Sequence, residues 1–229
     1  MIILPIKTSQ PRYTVPVVTL LLILVNVLVF LHQVQLEWTD PAAFNRFVRL
    51  YSLRPASLMT HPIGLLTSMF LHASILHILG NMLFLWVFGT SVEDVLGHFR
   101  YLFFYLLCGV IAGFCQVAVD PFSRVPMLGA SGAIAGVMGA YLMKFPRSTV
   151  VMLFWLLFIF TFDLPAWAVL IYWFLLQLFN GVGSIGESQY AQAGGTAFFA
   201  HIGGFVAGLV LMKVFGPRER RWRAEDYSW

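Results

Sequence analysis

The 229-residue sequence contains few charged residues. They make up 10% of the chain, against 59% apolar residues, whereas a soluble domain typically carries about 25% charged residues. This shortage excludes an ordinary soluble domain and predicts an all-α, polytopic membrane protein that forms one bundle. The net charge of +4 does not indicate nucleic-acid binding, because lysine and arginine lie mostly at the ends of apolar segments.

Cysteine is also scarce, and neither of the two cysteines is expected to form a disulfide. Cys108 and Cys115 lie on one predicted helix. Their separation along its axis is roughly 10 Å at about 1.5 Å per residue, which is too far for a bridge. Both are therefore interpreted as packing residues.

The sequence lacks the metal-binding motif His-Glu-x-x-His. A metal site formed by His72, His77 and His201 is the alternative, since the three could converge in a folded bundle. No acidic residue lies in the outer halves of their segments to complete such a site. We therefore expect no metal and no other cofactor.

Six apolar segments are predicted to cross the membrane as helices. Their approximate ranges are 15–31, 75–92, 99–119, 131–143, 164–179 and 197–215. Several are shorter than the roughly 20 residues of a full span, which predicts local thinning of the bilayer or a water-filled recess. The long first loop, about residues 34–73, is expected to lie as amphipathic structure in the outer interface.

The positions of the basic residues predict the orientation of this bundle. One side collects Lys7, Arg12, His98, Arg100, Lys144, Arg147, Lys213, Arg218, Arg220, Arg221 and Arg223. This side is expected to be the cytoplasm, with both termini on it and the chain in a cell membrane, either an inner or a plasma membrane. The exceptions on the outer side are Arg46, Arg49, Arg54 and Arg124.

Residues 148–162 are apolar and aromatic enough to suggest a seventh helix. A crossing there would place Ser131 and His201 at opposite faces of the membrane, roughly 30 Å apart. Six crossings instead place Asn81, Ser131 and His201 together in the outer half of the membrane. We therefore predict that this segment is interfacial or re-entrant.

Ser131 lies in a stretch of small residues, Gly-Ala-Ser-Gly-Ala-Ile-Ala-Gly, at 129–136. A polar side chain at membrane depth is costly, and such residues are usually functional. Alone, Ser131 could be a small residue at a tight helix crossing. His201, which Gly204 and Gly208 follow, could likewise belong to a crossing.

A further pair of polar residues, His77 and Asn81, lies four residues apart and so shares one helix face. Alone, this pair could hold a buried water. Together with Ser131 and His201 it supplies a nucleophile, a base and hydrogen-bond donors for a tetrahedral intermediate. The combination indicates acyl-transfer chemistry inside a bilayer.

These motifs resemble those of the rhomboid intramembrane serine proteases over about residues 66–212. The matching motifs are Gly129-Ala130-Ser131-Gly132, Ala200-His201-Ile202-Gly203-Gly204 with Gly208, and His72-x4-His77-x3-Asn81. The resemblance implies a six-helix rhomboid-like bundle. Residues 1–229 would form a single domain, with short cytoplasmic tails at 1–14 and 217–229.

The resemblance also implies roles for individual residues. Ser131 is expected to be the nucleophile and His201 the general base. His77 and Asn81 are expected to stabilise the oxyanion beside the Ser131 N–H, and His72 to be structural or to retain water. The supporting positions are Gly129, Gly132, Gly204 and Gly208, and Glu93 resembles a structural glutamate of the family.

The chain departs from the family pattern at Ala135, one turn after the serine. Many members carry an aromatic residue there, which stacks on the catalytic histidine. With alanine at this position, the resemblance does not say what orients His201. The Trp-Arg pair of the family's first loop is also absent as a pair, so no role is assigned there.

The function implied by the resemblance is cleavage of membrane proteins near the outer end of their transmembrane segments. The implied partners are transmembrane protein substrates and the lipid bilayer, without nucleic acid. The alternative is a catalytically silent relative that binds transmembrane helices for traffic or degradation, which would be signalled by loss of the serine or histidine. A channel or transporter would predict an internal repeat, and none is visible in the sequence.

Overall fold

A computed structural model of the chain describes residues 2–155, 158–184 and 196–216. Its helices are α1 (Val17–Thr39), α2 (Pro41–Tyr51), α3 (Gly64–Thr67), α4 (Ile75–Phe84), α5 (Thr90–Leu96), α6 (His98–Val119), α7 (Ser131–Lys144), α8 (Ala166–Gly183) and α9 (Phe198–Phe215). Short 3-10 turns cover Pro55–Ser57 and Ser68–Phe70. A π-helical turn, Leu85–Gly89, joins α4 to α5 in one apolar rod.

Five helical segments among the described residues are long and apolar enough to cross a membrane. They are Val17–Thr39, Ile75–Leu96, His98–Val119, Ala166–Gly183 and Phe198–Phe215. The remaining predicted segment, 131–143, corresponds to α7, which has only 14 residues and extends about 21 Å at about 1.5 Å per residue. Its two ends cannot both reach the surfaces of a hydrocarbon core roughly 30 Å thick. The predicted polytopic helical bundle is confirmed.

The short helix α7 lies at the centre of the bundle, packed against α6 and α9. Its residues from Gly132 to Tyr141 are all buried. This helix is rich in glycine and alanine because its neighbours approach its backbone directly. Cys108 of α6, for example, occupies the space beside Gly136 that the Cβ of a larger residue would need. Small residues at such crossings allow the van der Waals contact that drives helix association in membranes.

The helices α7 and α9 run parallel to one another. A Cβ added to Gly204 would overlap the carbonyl oxygen of Gly132, and one added to Gly208 would overlap that of Gly136. The two contacts advance by four residues on both helices, which fixes their direction and register. The first turns of both helices therefore lie at the same end of the bundle, as the six-crossing interpretation requires.

The described residues of the segment 148–162 do not form a seventh helix. They contribute to an antiparallel sheet of β1 (Ile2–Thr8), β2 (Thr149–Trp155) and β3 (Ile159–Pro165), in the order β1-β2-β3. Val150 and Met152 alternate with less buried neighbours and join the hydrophobic core, as expected of a strand covered on one face. The sheet was not predicted from the sequence.

The predicted N-terminal tail is therefore structured. Residues 2–8 pair with β2 along its length, from Ile2 opposite Trp155 to Thr8 opposite Val150. The other predicted tail, 217–229, and the basic residues within it lie outside the described residues.

The first loop contains an amphipathic helix, α2. The Asp40 side chain accepts a hydrogen bond from the Ala43 N–H at 2.9 Å, and Pro41 occupies the first turn, where its missing N–H costs nothing. None of the residues of α2 is buried. The loop rejoins the bundle through Leu53, whose backbone exchanges two hydrogen bonds with that of Met127.

Glu93 joins α5 to the start of α1. Its fully buried carboxylate accepts hydrogen bonds from the N–H groups of Val18 and Thr19, both at 2.8 Å, and from the Thr19 hydroxyl at 2.6 Å. His98 Nδ1 lies 2.6 Å from the same carboxylate. A carboxylate suits a helix N-terminus, where unpaired N–H groups and the helix dipole favour negative charge. These contacts agree with the structural part expected of Glu93.

Candidate active site

The side chains of Ser131 and His201 meet at the start of α7 and α9. The Ser131 Oγ lies 2.7 Å from His201 Nε2, although 70 residues separate them in sequence. Ser131 is the first residue of α7, and His201 is in the first turn of α9. The parallel packing of these helices therefore places a hydroxyl and an imidazole within hydrogen-bond distance at one depth.

A residue that the sequence interpretation missed, Gln177 of α8, contacts the other ring nitrogen of this histidine. Its Oε1 lies 2.8 Å from His201 Nδ1. Both side chains are buried, with exposed fractions of 9% for Gln177 and 8% for His201. Gln177 is a polar residue inside a predicted span, the criterion that singled out Ser131, so a signal for it was present in the sequence.

The ring of His201 is also flanked by Trp173, one turn before Gln177 on α8. The two ring centroids are 5.7 Å apart and the planes are inclined by 37°. Ala135, where many rhomboids carry an aromatic residue, is fully buried. In this chain an aromatic neighbour of the histidine therefore comes from α8.

Asn81 and His72 form a second polar pair beside the start of α7. The Asn81 Nδ2 lies 2.9 Å from His72 Nε2, and both side chains are buried. Burial and, to a lesser extent, the neighbouring His77 lower the pKa of His72 to about 4. His72 is accordingly neutral at pH 7, and its Nε2 can accept a hydrogen bond from the Asn81 amide.

The backbone of His72 is held by Gln33, another residue that the sequence interpretation missed. The His72 N–H donates to Gln33 Oε1 at 3.0 Å, and Gln33 Nε2 donates to the His72 carbonyl at 3.2 Å. The first predicted helix ended at residue 31, but α1 continues to Thr39. The residues of α1 beyond position 31 are largely polar, so a hydropathy criterion ended the helix too early. Gln33, in this part of α1, is nevertheless buried.

His77 and Gly129 lie on the same side of the site as Asn81. Ser74 begins α4 by accepting a hydrogen bond from the His77 N–H at 3.2 Å. A Cβ at Gly129 would lie 2.8 Å from His77 Nε2 and 3.6 Å from Asn81 Nδ2, and the φ of Gly129 is +126°. Only glycine adopts this backbone conformation readily. The absence of a side chain also lets the His77 imidazole and the Asn81 amide approach the backbone two residues before Ser131.

A cavity of about 490 Å³ lies behind His72. Its lining includes Gln33, Arg49, Arg54 and Ala73. The pKa of Arg54 is lowered by burial and then by the nearby charge of Arg49. His72 therefore lines this cavity and also contacts Asn81.

The described part of the chain holds no group of three histidine, cysteine or acidic side chains arranged to bind a metal ion. The rings of His72 and His77 are 5.1 Å apart in an edge-to-face arrangement. His201 directs its two nitrogens at Ser131 and Gln177 instead.

Comparison with known proteins gives matches along most of the chain. A family model described as Rhomboid domain matches residues 59–218. Rhomboid protein 1, mitochondrial, of Saccharomyces cerevisiae is 30% identical over 200 residues, which are 82% of this chain and 53% of the relative. Presenilin-associated rhomboid-like protein, mitochondrial, of Rattus norvegicus is 36% identical over 129 residues, 54% of this chain and 33% of the relative.

A third relative, Rhomboid protease GluP of Bacillus subtilis, is 45% identical over 78 residues, 34% of this chain and 15% of the relative. The matched regions therefore span about half or less of the length of each of these relatives.

The predicted localisation needs correction. The sequence was interpreted as that of a cell-membrane protein, in an inner or plasma membrane. The rat, human and yeast relatives are named as mitochondrial, which points to a mitochondrial membrane rather than the plasma membrane. The charge distribution alone could not distinguish these membranes, because it reports only which ends of the helices carry basic residues. The side that bears Lys7 is called the basic side below.

The Rhomboid domain match covers more than half of the sequence and spans every helix from α4 to α9. The chain belongs to the rhomboid family.

Proposed function

We propose that this chain is an intramembrane serine endopeptidase in which Ser131 is the nucleophile and His201 the general base. The observation that carries the proposal is the distance of 2.7 Å between Ser131 Oγ and His201 Nε2. A serine hydroxyl becomes nucleophilic when an adjacent base accepts its proton, and histidine is the usual base. One relative, GluP, is named as a protease, which agrees with the proposal.

The reaction begins with transfer of the Ser131 proton to His201 Nε2. The Oγ then bonds to the carbonyl carbon of the substrate peptide, and the carbonyl oxygen becomes an oxyanion. As the intermediate collapses, the C–N bond breaks and the imidazolium gives its proton to the leaving amine. A water molecule, deprotonated by the same histidine, then attacks the acyl carbon. The bond between that carbon and Ser131 Oγ breaks, and the imidazolium returns its proton to the Oγ.

Donors for the oxyanion are available around the start of α7. The first N–H groups of a helix lack acceptors within it, and Ser131 is the first residue of α7. The Asn81 amide has two hydrogens, of which one reaches His72 and the other is left for a substrate. His77 Nδ1 faces the Ala73 N–H at 3.5 Å, which favours the tautomer with its proton on Nε2.

The substrates are proposed to be transmembrane segments of other membrane proteins, which enter from the lipid bilayer. The glycines beside the nucleophile allow close contacts there: His77 and Asn81 approach the backbone at Gly129, and Ala112 of α6 packs against Gly132. A peptide bond inside a helix is shielded by the neighbouring turns, so the substrate has to unwind locally before attack. Glycine, proline and other weak helix formers near the cleaved bond are therefore expected to favour cleavage.

The decisive test is reaction of the purified full chain with a fluorophosphonate probe, which labels only an activated serine. Labelling of the wild-type chain that disappears in Ser131→Ala is expected. A folded wild-type chain that takes up no probe would contradict the protease proposal and favour the alternative of a silent protein that binds transmembrane helices.

A further inference from the structure

We infer that Gln177 is the positioning residue of the candidate site, which selects the tautomer and the orientation of His201. The inference rests on the proposed Ser131–His201 pair and deepens it. It adds a third side chain, a neutral amide, to the serine–histidine pair that the family resemblance implies.

The amide of Gln177 is itself held in one orientation. Its Nε2 donates to the Trp173 carbonyl one turn earlier on α8, at 3.4 Å, which leaves Oε1 facing His201 Nδ1 at 2.8 Å. A carbonyl oxygen can only accept a hydrogen bond. The proton of a neutral His201 therefore resides on Nδ1.

This arrangement has a direct consequence for the nucleophile. With the proton on Nδ1, the lone pair of the imidazole is on Nε2, the atom that lies 2.7 Å from Ser131 Oγ. The opposite tautomer would present an N–H to the serine and could not take its proton. Gln177 thus determines whether His201 is able to act as a base.

Positions 173 and 177 share one face of α8, since residues four apart on a helix are neighbours. Trp173 lies beside the imidazole ring, and Gln177 binds its Nδ1. One helix therefore limits both the rotation and the tautomer of His201. This answers the question raised by Ala135, whose methyl group is too small to stack on a ring.

An amide differs from a carboxylate in the charge that it brings to a buried site. A carboxylate at this position would favour the protonated imidazolium and raise the pH below which the histidine stops acting as a base. An amide orients the ring without that charge. If Gln177 orients His201, replacing it changes how the labelling rate of Ser131 depends on pH. If Gln177 only fills space, that pH dependence does not change.

The chain offers a matched control in Gln116. Its Oε1 also accepts a hydrogen bond from the first turn of α9, but from the Ala200 N–H at 3.2 Å rather than from the imidazole. Gln116→Met and Gln177→Met each replace one amide by an apolar side chain of similar length. Only the second variant removes a partner of His201.

The first experiment measures the rate of fluorophosphonate labelling of the full chain in detergent as a function of pH. We expect Gln177→Met to slow labelling at least roughly 10-fold, the effect of one lost hydrogen bond, and Gln116→Met to keep the wild-type pH profile. For Gln177→Glu we expect a profile displaced to higher pH, or loss of labelling if the new carboxyl is protonated and donates to Nδ1. Wild-type rates and profiles in both Gln177 variants would overturn the inference.

The second experiment requires no activity. In the Ser131→Ala chain with ¹⁵N-labelled histidine, the ring nitrogen shifts of His201 report which nitrogen carries the proton. We expect one tautomer, protonated at Nδ1, when Gln177 is present and a mixture in Gln177→Met. Equal tautomer populations in the two chains would refute the positioning role, even for a variant that folds less stably.

The outcomes for the two proposals are separable. A wild-type chain that is not labelled contradicts the protease function, whatever the tautomer of His201. A wild-type chain that is labelled and cleaves substrate, with an unchanged Gln177→Met variant, contradicts only the inference about Gln177.

Discussion

The carbonyl oxygen of Gly136 on α7 lies directly against Gly208 on α9, with no room for a Cβ between them. The atoms that a Cβ would meet are backbone atoms of Gly136, which cannot move aside as the end of a flexible side chain could. This contact, repeated one turn earlier by Gly132 and Gly204, keeps the two helices close enough for Ser131 and His201 to meet.

The first prediction tests that contact with Gly208→Ala. We expect the added methyl group to separate α7 from α9, to lower stability by about 1–3 kcal/mol, as overpacking typically does, and to reduce substrate cleavage. Thermal unfolding in detergent and a cleavage assay are the measurements. Gly183→Ala is the matched control, because nothing lies within 4 Å of its added Cβ. Equal Tm values for the two variants would show that the close approach of α7 and α9 is not needed.

The second prediction concerns the proposed catalytic pair. Ser131→Ala and His201→Ala are each expected to abolish cleavage of a transmembrane test substrate, since one removes the nucleophile and the other the base. Ser131→Ala should leave the fold intact, because it removes a single oxygen atom. Appreciable cleavage by Ser131→Ala, in preparations free of other proteases, would eliminate the proposed mechanism.

The third prediction concerns Asn81. If its free amide hydrogen stabilises the oxyanion, Asn81→Ala should lower kcat by about 10²–10³-fold, the typical effect of removing one such donor. KM should change little, because the interaction strengthens only in the transition state. Steady-state kinetics distinguish this from a raised KM with normal kcat, which would assign Asn81 to substrate binding instead.

The fourth prediction concerns Glu93, whose buried carboxylate accepts from Val18 and Thr19 of α1. In Glu93→Gln one oxygen becomes an NH₂ group that cannot accept these bonds. We expect the free energy of unfolding to fall by about 1.5–3 kcal/mol, the usual value for hydrogen bonds to a charged group, as measured by unfolding in detergent. Glu37→Gln serves as the control, because Glu37 is an exposed carboxylate of α1, the helix whose first N–H groups Glu93 binds. Equal stability of the two variants would contradict the capping role of Glu93.

The helices could be predicted from the sequence because each apolar run carries its own signal. The segments expected at 75–92, 99–119 and 197–215 correspond to Ile75–Leu96, His98–Val119 and Phe198–Phe215. The sheet could not be predicted in this way. Strand β1 pairs with β2, which begins at Thr149, and no local pattern reports a partner so distant in sequence.

The site shows the same division between local and distant information. The sequence singled out Ser131 and His201 because they are polar groups within apolar segments, and the parity of six crossings required them to lie at one depth. The rotation of α8 about its axis decides that Gln177 faces His201, and periodicity alone does not fix that rotation against a neighbour. The catalytic roles of Ser131, His201, Asn81 and His77 remain predictions, which the experiments described above test.

The last prediction is topological. The hairpin of β2 and β3 should not cross the membrane, since a crossing between α7 and α8 would be incompatible with the parallel packing of α7 and α9. The hairpin pairs with β1, which contains Lys7, so Asp163 of β3 is expected on the basic side. Glu187, which lies outside the described residues, is expected on the opposite side.

Cysteine labelling in sealed vesicles tests this arrangement. In a chain with Cys108→Ala and Cys115→Ala, we expect Asp163→Cys to react with a membrane-impermeant thiol reagent only from the basic side. Glu187→Cys should react only from the side of Ser131, because α8 crosses the membrane between the two positions. The reverse pattern would establish a seventh crossing. It would also separate Ser131 from His201 by a membrane thickness, and the proposed catalytic pair would fail with it.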